Sequence, residues 1–487
     1  GTPGACSTRS ARWRETVNGR SLVLGTVFLD ALGHGLLIPV LPDVVGRFDA
    51  DPAFVSRYFG YFIAVYAVVQ FVAAPVLGNL SDRFGRRPVL LVSLVGAAID
   101  YLLMAWAPTL ALLFVGRVIS GLTGASMAVA YAYLADVSDE GSRPGNFGLL
   151  AAALGVGLVA GPGVGGVLAQ AGLTAPFFAA AGLNLLNFVS ALVLLPESLG
   201  VESRRRLEPA RWTPLVSLRP LLCASPLTRL LWCYLLVHLA GRAISSTWAL
   251  FTARRFAWSP VEIGASFAFL GLVGAVAQAA LPRVLVRRIG ARRTLGIGLL
   301  LGSVAYVAFA FAARGWHLYV IVAGASLSAV GGPVLQSLLS RAVPPDAQGE
   351  LQGSLASLAS LSAIAGPLVY TSVYAQGVRG STYGLLTGAP FLVAAAFSVV
   401  AWLLVACPGA PLAGPSRGTG RPPPVAALSA DRSGRGSSPC STRPRSRARA
   451  WARRRRTRRP RRWPGAASSR RRRGRPGSPS TAAHPSG

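Results

Sequence analysis

The sequence predicts an all-α polytopic membrane protein of twelve transmembrane helices in two six-helix halves. Three observations carry this. Of 487 residues, 52% are hydrophobic and only 14% charged, where soluble domains carry about 25% charge; the mean hydropathy is +0.48. Apolar runs of about 20 residues, long enough as helices to cross roughly 30 Å of hydrocarbon, recur along the chain. Arginines gather in alternate loops between those runs, the asymmetry that orients a membrane protein.

Residues 1–20 are polar and lack the apolar stretch of a signal peptide, so the run beginning at Ser21 is expected to stay as the first span. Runs and breakers place spans near 21–42, 58–78, 88–107, 109–134, 147–169 and 175–195, giving a first half over 21–195. A polar, basic connector covers 196–227 and opens "PESLGVESRRRLEPARW". Spans near 228–252, 261–282, 294–313, 317–340, 351–376 and 384–407 make the second half, 228–407, and a tail follows over 408–487. The loops after spans 2, 4, 6, 8 and 10 carry arginines, those after spans 3 and 5 carry none, and Arg254 and Arg255 after span 7 are outnumbered. Both termini are therefore expected in the cytoplasm.

The formal charge of +32 comes largely from the tail, which from residue 409 holds 21 arginines against one acid, Asp431. The tail lacks apolar periodicity and reads as disordered. A GC-rich frame that slipped after the last span explains it better than an RNA- or lipid-binding function, and no nucleic-acid partner is expected. Cys6, Cys223, Cys233, Cys407 and Cys440 form no CxxC pair, so neither a disulfide framework nor a metal site follows. Neither a nucleophile–base set nor a nucleotide loop is present, and an enzyme is not expected.

Ionisable groups inside the first-half spans are few: Asp30 and His34 in span 1, Asp100 in span 3 and Arg117 in span 4. A carboxylate at membrane depth costs about 2.5–3.5 kcal/mol, so these groups should point at a shared aqueous cavity or at one another. Asp30 and His34 share a helix face, and Gln70 in span 2 adds a neutral hydrogen-bonding group. Two readings fit Asp100: proton or cation handling in a translocation cavity, or a buried ion pair with Arg117 bracing spans 3 and 4. A membrane scaffold displaying the basic tail would have no use for Asp30 and Asp100 at that depth.

Two motifs are more specific. "GNLSDRFGRRP" (78–88) reads as a tight turn, with Gly78 and Gly85 permitting close or left-handed backbone, Asp82 set among Arg83, Arg86 and Arg87, and Pro88 opening span 3. A degraded echo, "VRRIGARRTLG", follows span 8, with Gly290 matching Gly85 and Arg287 replacing Asp82. In span 5, "GLVAGPGVGG" places Gly157, Gly161, Pro162, Gly165 and Gly166 so that another helix can pack close.

On these residues the chain resembles the major facilitator superfamily, and through the span 5 pattern its drug/proton antiporter branch. Residues 21 to about 407 are most similar to the tetracycline/proton antiporter group, as in "LDALGHGLLIPVLP", "IDYLLMAWAP" and "QGELQGSLASLASLSAIAGPL". The resemblance implies proton-coupled export of tetracycline-like or other amphiphilic drugs across a bacterial inner membrane. It places the proton and substrate pathway at Asp30, His34, Gln70, Asp100, Arg117 and Gln278, and the conformational switch at the 78–87 loop. It implies no cofactor, any divalent cation such as Mg²⁺ entering chelated to substrate. The second half departs from the family: Gly302 stands where the exporters carry a coupling Asp in span 9, Gly274 stands where they carry a His, and span 7 has His238 and Arg242. Coupling then falls to Asp30 or Asp100, and export of another metabolite or natural product stays open as an alternative. Oligomeric state is not legible.

Overall fold

Every predicted span is helical, and most of the helix ends have a local cause. The computed structural model describes residues 4–124, 126–139, 141–200, 202, 204, 226–344, 347–379 and 385–406. Most of the connector and the whole arginine-rich tail, with the expectations attached to them, lie outside the described residues.

Helix α1 (Gly4–Leu37) contains the first span in Gly19–Leu37. It stops short of the expected residue 42 because Pro39 and Pro42 interrupt backbone donation, and the chain restarts as α2 (Leu41–Gly46). Helix α3 (Pro52–Phe84) opens on Asp51, whose carboxylate accepts the Ala53 and Phe54 N–H groups at 3.2 and 3.3 Å. Then come α4 (Arg86–Trp106), α5 (Leu110–Thr123), α6 (Ser126–Val137), α7 (Arg143–Leu168) and α8 (Ala175–Leu194). In the second half α9 (Pro226–Phe256) precedes α10 (Pro260–Ile289), which opens on a reciprocal cap between Ser259 and Glu262. Helices α11 (Ala291–Ala310), α12 (Gly315–Ala325), α13 (Gly331–Arg341), α14 (Gln348–Arg379) and α15 (Ala389–Ala406) follow. Among the described residues, twelve helical stretches are long and apolar enough to cross a membrane.

Two expectations need correction. Spans 4 and 10 are not continuous: α5 and α6 part at Gly124, and α12 and α13 are joined by a 3-10 turn over Ser326–Val330. The stretch 78–88 is not a turn over its length, since α3 runs on to Phe84 and α4 starts at Arg86. Only Gly85 breaks the helix, at φ 107°, a conformation costly for any residue with a Cβ. Gly78 sits inside α3 with open space where a Cβ would point, so close approach is not its reason here.

Buried apolar side chains fall into three clusters. One joins both halves at the end away from the arginine loops, with Leu36, Phe62, Trp248, Phe251 and Tyr370 among its members. At the loop-bearing end each half keeps its own cluster, Leu90, Tyr133 and Leu134 in the first and Leu295, Leu335 and Leu355 in the second. The two share no residue, as the two walls of a cleft would not. At the sealed end Ser56 Oγ donates to the Thr371 carbonyl at 2.8 Å. Large apolar residues such as Val193, Val304 and Val320 stand exposed on single helices, as lipid contact requires.

Candidate transport site

The first-half wall of the cleft holds a cavity of about 220 Å³ lined by Asp30, His34, Tyr66, Gln70, Ser120 and Gly124, among others. Small residues let α7 pack closely on α1 beside the cavity and on α10 of the second half. Helix α7 lays Gly157, Gly161 and Gly165 along α1: a Cβ at Gly157 would come 2.6 Å from the Phe28 carbonyl oxygen, and one at Gly161 2.6 Å from Gly35 Cα. Gly166, on the neighbouring face, seats Pro260 and Val261 of α10 in the second half, and Gly264 of α10 lies against Pro162. The span 5 pattern thus does two packing jobs, one within its half and one between halves at the sealed end.

Asp30 and His34 lie on one face of α1, with His34 Nδ1 donating to the Asp30 carbonyl at 2.9 Å and standing 3.8 Å from Asp30 Oδ1. Because a carbonyl only accepts, Nδ1 carries the proton in this contact. Asp30 Oδ1 has no hydrogen-bond donor. Gln70 Nε2 bridges the Tyr66 hydroxyl at 2.9 Å and the Gly124 carbonyl at 3.1 Å. The second contact caps a backbone group freed by the break in span 4, an arrangement membranes tolerate where irregular backbone lines a cavity.

Asp100 and Arg117 lie behind this wall. Arg117 pairs with Asp100, through Nε–H to Oδ1 at 3.3 Å and through Nη2 to Oδ2. The guanidinium also covers the rings of Phe62 and Tyr66, 4.8 and 5.6 Å from their centroids. Gly116 makes the room, since a Cβ there would sit 2.6 Å from Asp100 Oδ1. Side-chain exposure separates the two pairs: 13% and 33% for Asp30 and His34, against 0% and 8% for Asp100 and Arg117. The first pair is open to exchange with the cleft; the second is a closed ion pair.

At the loop-bearing end Arg86 gathers the residues around the α3–α4 junction. Its guanidinium donates to Asp82 Oδ1 at 2.5 Å, Ser81 Oγ at 2.7 Å and Asp136 Oδ2 at 3.1 Å. The Glu197 carboxylate caps α4 by accepting the Arg86 and Arg87 N–H groups at 2.8 and 3.2 Å. Arg87 reaches the Leu192 carbonyl of α8, and Arg83 lies over Phe84.

Of the sequence-derived residues, Asp30, His34 and Gln70 share the cavity, Asp100 and Arg117 stand behind it, and Gln278 is exposed on α10 apart from the cluster. Tyr66 and Gly124 escaped the sequence reading. Tyr66 carried a signal, standing four residues before Gln70 on the same helix face; Gly124 carried none, since a break in an apolar run leaves no pattern. Tyr101 and Asn184 also border this region beside Gly33, and the Tyr101 hydroxyl has no partner.

Residues 23–367 match the family model of the Major Facilitator Superfamily. The tetracycline resistance protein of class C from Escherichia coli is 43% identical over 384 residues, 79% of this chain and 95% of that protein. The class G protein of Vibrio anguillarum is 41% identical over 353 residues, covering 72% of this chain and 89% of that one. Among solved structures, the human organic anion transporter MFSD10 (TETRAN) superimposes with a TM-score of 0.59 at 25% identity, covering 80% of this chain and 99% of that one. A bacterial homologue of the human lysosomal transporter Spinster, at 16% identity and a TM-score of 0.65 over 83% of this chain and 97% of that one, shares the fold.

Proposed function

The chain belongs to the Major Facilitator Superfamily, and on that premise we propose that it is a proton-driven exporter of tetracycline-like or other amphiphilic drugs. It spans the bacterial inner membrane with both termini in the cytoplasm. The cleft in this structure then opens inward, and the end sealed by α3 against α14 and α7 against α10 faces outward. The observation that carries the reading is the Asp30–His34 pair, ionisable, partly open and set on a cavity within the membrane. Buried ionisable groups facing a cavity mark ion and proton pathways.

Asp30 is the proton carrier in this reading. Facing inward it releases its proton and presents a carboxylate to a cationic or chelated amphiphile; facing outward it takes a proton and gives the substrate up. His34 holds the carboxylate in a polar setting, while Gln70 and Tyr66 offer neutral hydrogen bonds to the substrate. Asp100 and Arg117 brace spans 3 and 4 so that the wall keeps its shape. Mg²⁺ enters only as part of a chelated substrate. The Arg86 network and its neighbours act as the latch of the switch.

A second reading has a specific basis. Gly302 and Gly274 leave the second-half wall without side chains there, with open space beside Gly274 and only Ser328 beside Gly302. The exported molecule could then be an amphiphile other than tetracycline, carried by the same fold. Everted inner-membrane vesicles, energised by a proton gradient and given tetracycline with Mg²⁺, separate the two. Uptake that collapses with an uncoupler and in Asp30→Asn supports the first reading. Well-inserted protein without uptake rejects tetracycline as the substrate.

A further inference from the structure

The second half repeats the first with its charges changed. Asp51–Pro52 opens α3 and Ser259–Pro260 opens α10, so the two caps set a common register. Counted back from them, His238 stands where Asp30 stands and Arg242 where His34 stands. The local geometry repeats too. His238 Nδ1 donates to the Tyr234 carbonyl at 2.9 Å, as His34 does to Asp30. The stem of Arg242 crosses Gly366 of α14, where a Cβ would come 2.5 Å from Arg242 Cβ, much as α1 crosses Gly161. Both glycines precede a proline inside their helix, Pro162 and Pro367.

Helix α9 turns this pair to the cleft rather than to lipid. Tyr234, His238, Gly241, Arg242 and Ser245 form one half-exposed or exposed stripe. Towards Phe256 the same face continues through Trp248, Ala249 and Thr252, which are 1%, 4% and 0% exposed. That face meets α14 at Gly366, and α14 packs against α3 of the first half, so the stripe is turned toward the interior between the halves. The His238 ring stacks on Tyr234 with centroids 3.9 Å apart. Among the described residues no carboxylate lies within ion-pair distance of Arg242. The acids of 228–407 are Glu262, Asp346 and Glu350, and Glu262 and Glu350 lie in the first turns of α10 and α14. A guanidinium held at membrane depth without a counter-ion is costly unless a partner arrives.

We infer that His238 and Arg242 form the anion-recognising wall of the cleft, receiving a carboxylate or similar organic oxyanion on the exported amphiphile, opposite Asp30. This rests on the exporter reading and adds the charge class of its substrate. Arg242 supplies the charge-assisted fork that suits a planar oxyanion, and Tyr234 with His238 gives an aromatic surface beside it.

The test uses two dyes differing only in that group: rhodamine 110, with a free carboxylate, and its methyl ester rhodamine 123. Binding to the full-length protein in lipid nanodiscs is read by fluorescence anisotropy for wild type, Arg242→Gln and Arg242→Lys. The expected result is a wild-type preference for the free carboxylate that falls about tenfold or more in Arg242→Gln and is partly restored in Arg242→Lys. Wild type without that preference, or an Arg242→Gln protein that keeps it, overturns the assignment. Proton-driven uptake of the same dyes is measured in parallel. Preference without uptake leaves the site standing and rejects the exporter reading; uptake without preference does the reverse.

Discussion

The two halves share a skeleton and differ in what they do with charge. Counted on from Gly85 and Gly290, the Asp100–Arg117 pair of the first half is matched by Ala305 and Val322, both buried. Asp136 is matched by Arg341 and Arg86 by Ala291. What persists is mechanical: a glycine at positive φ between the second and third spans, at 107° and 82°, and a break in the fourth. The arginine two residues after each glycine reaches back to the carbonyl of a sixth-span residue, Arg87 to Leu192 and Arg292 to Val405. The difference teaches that the fold keeps its helix breaks in both halves but its buried acid–arginine pair in one, and in the proposed exporter the proton chemistry with it. One half can hold the acids while the other is left free to read the substrate.

The comparison can be broken at its most lopsided point first. Asp30→Asn should lower proton-driven uptake in everted vesicles about a hundredfold or more, the scale of losing a positioned proton-transfer group, while His238→Gln lowers it far less. Equal losses would mean that both walls handle protons. Next, Asp100→Asn should destabilise the detergent-purified protein by about 3–5 kcal/mol in thermal unfolding, because Arg117 is left buried and uncompensated. Importing the second half's residues, Asp100→Ala with Arg117→Val, should recover most of that loss. A stable double variant that cannot transport would return Asp100 to the proton pathway.

Packing gives a smaller contrast. Gly161→Leu forces a side chain into Gly35 and should cost about 1–3 kcal/mol or more of stability, whereas Gly274→Leu enters open space and should be near neutral. The latch comes next: Arg86→Ala, which removes hydrogen bonds to two carboxylates, should slow initial uptake about tenfold, and Arg292→Ala should slow it less. Deleting 415–487 should have the smallest effect, leaving uptake by normally inserted protein unchanged.

Much of this was legible in the chain. Run length and loop arginines located twelve helices, because hydrocarbon thickness sets length and backbone satisfaction leaves no alternative to helix, but α3 and α10 run on past the expected ends by six and seven residues. The acid and base of span 1 stood out because a carboxylate at depth demands a reason. What stayed hidden depends on contacts between distant segments. No pattern within α3 announces that Gln70 will cap Gly124, and none within α4 announces that Asp100 will be shut behind the cavity. The inverted pair on span 7 was visible as residues, but its register with Asp30 and His34 needed two helix caps to be located in space.

The Gln70 bridge has one further consequence. A single amide serves both the cavity and the joint of a spanning helix, giving one N–H to Tyr66 and the other to the Gly124 carbonyl, so a cargo that turns the amide toward itself draws on the joint. A molecule that takes that amide strips the Gly124 carbonyl of its partner and leaves span 4 softer at its middle. In the proposed exporter, loading would thereby loosen span 4, and a vacant carrier would keep it stiff. Such a carrier would have little tendency to cycle empty and dissipate the gradient that drives it.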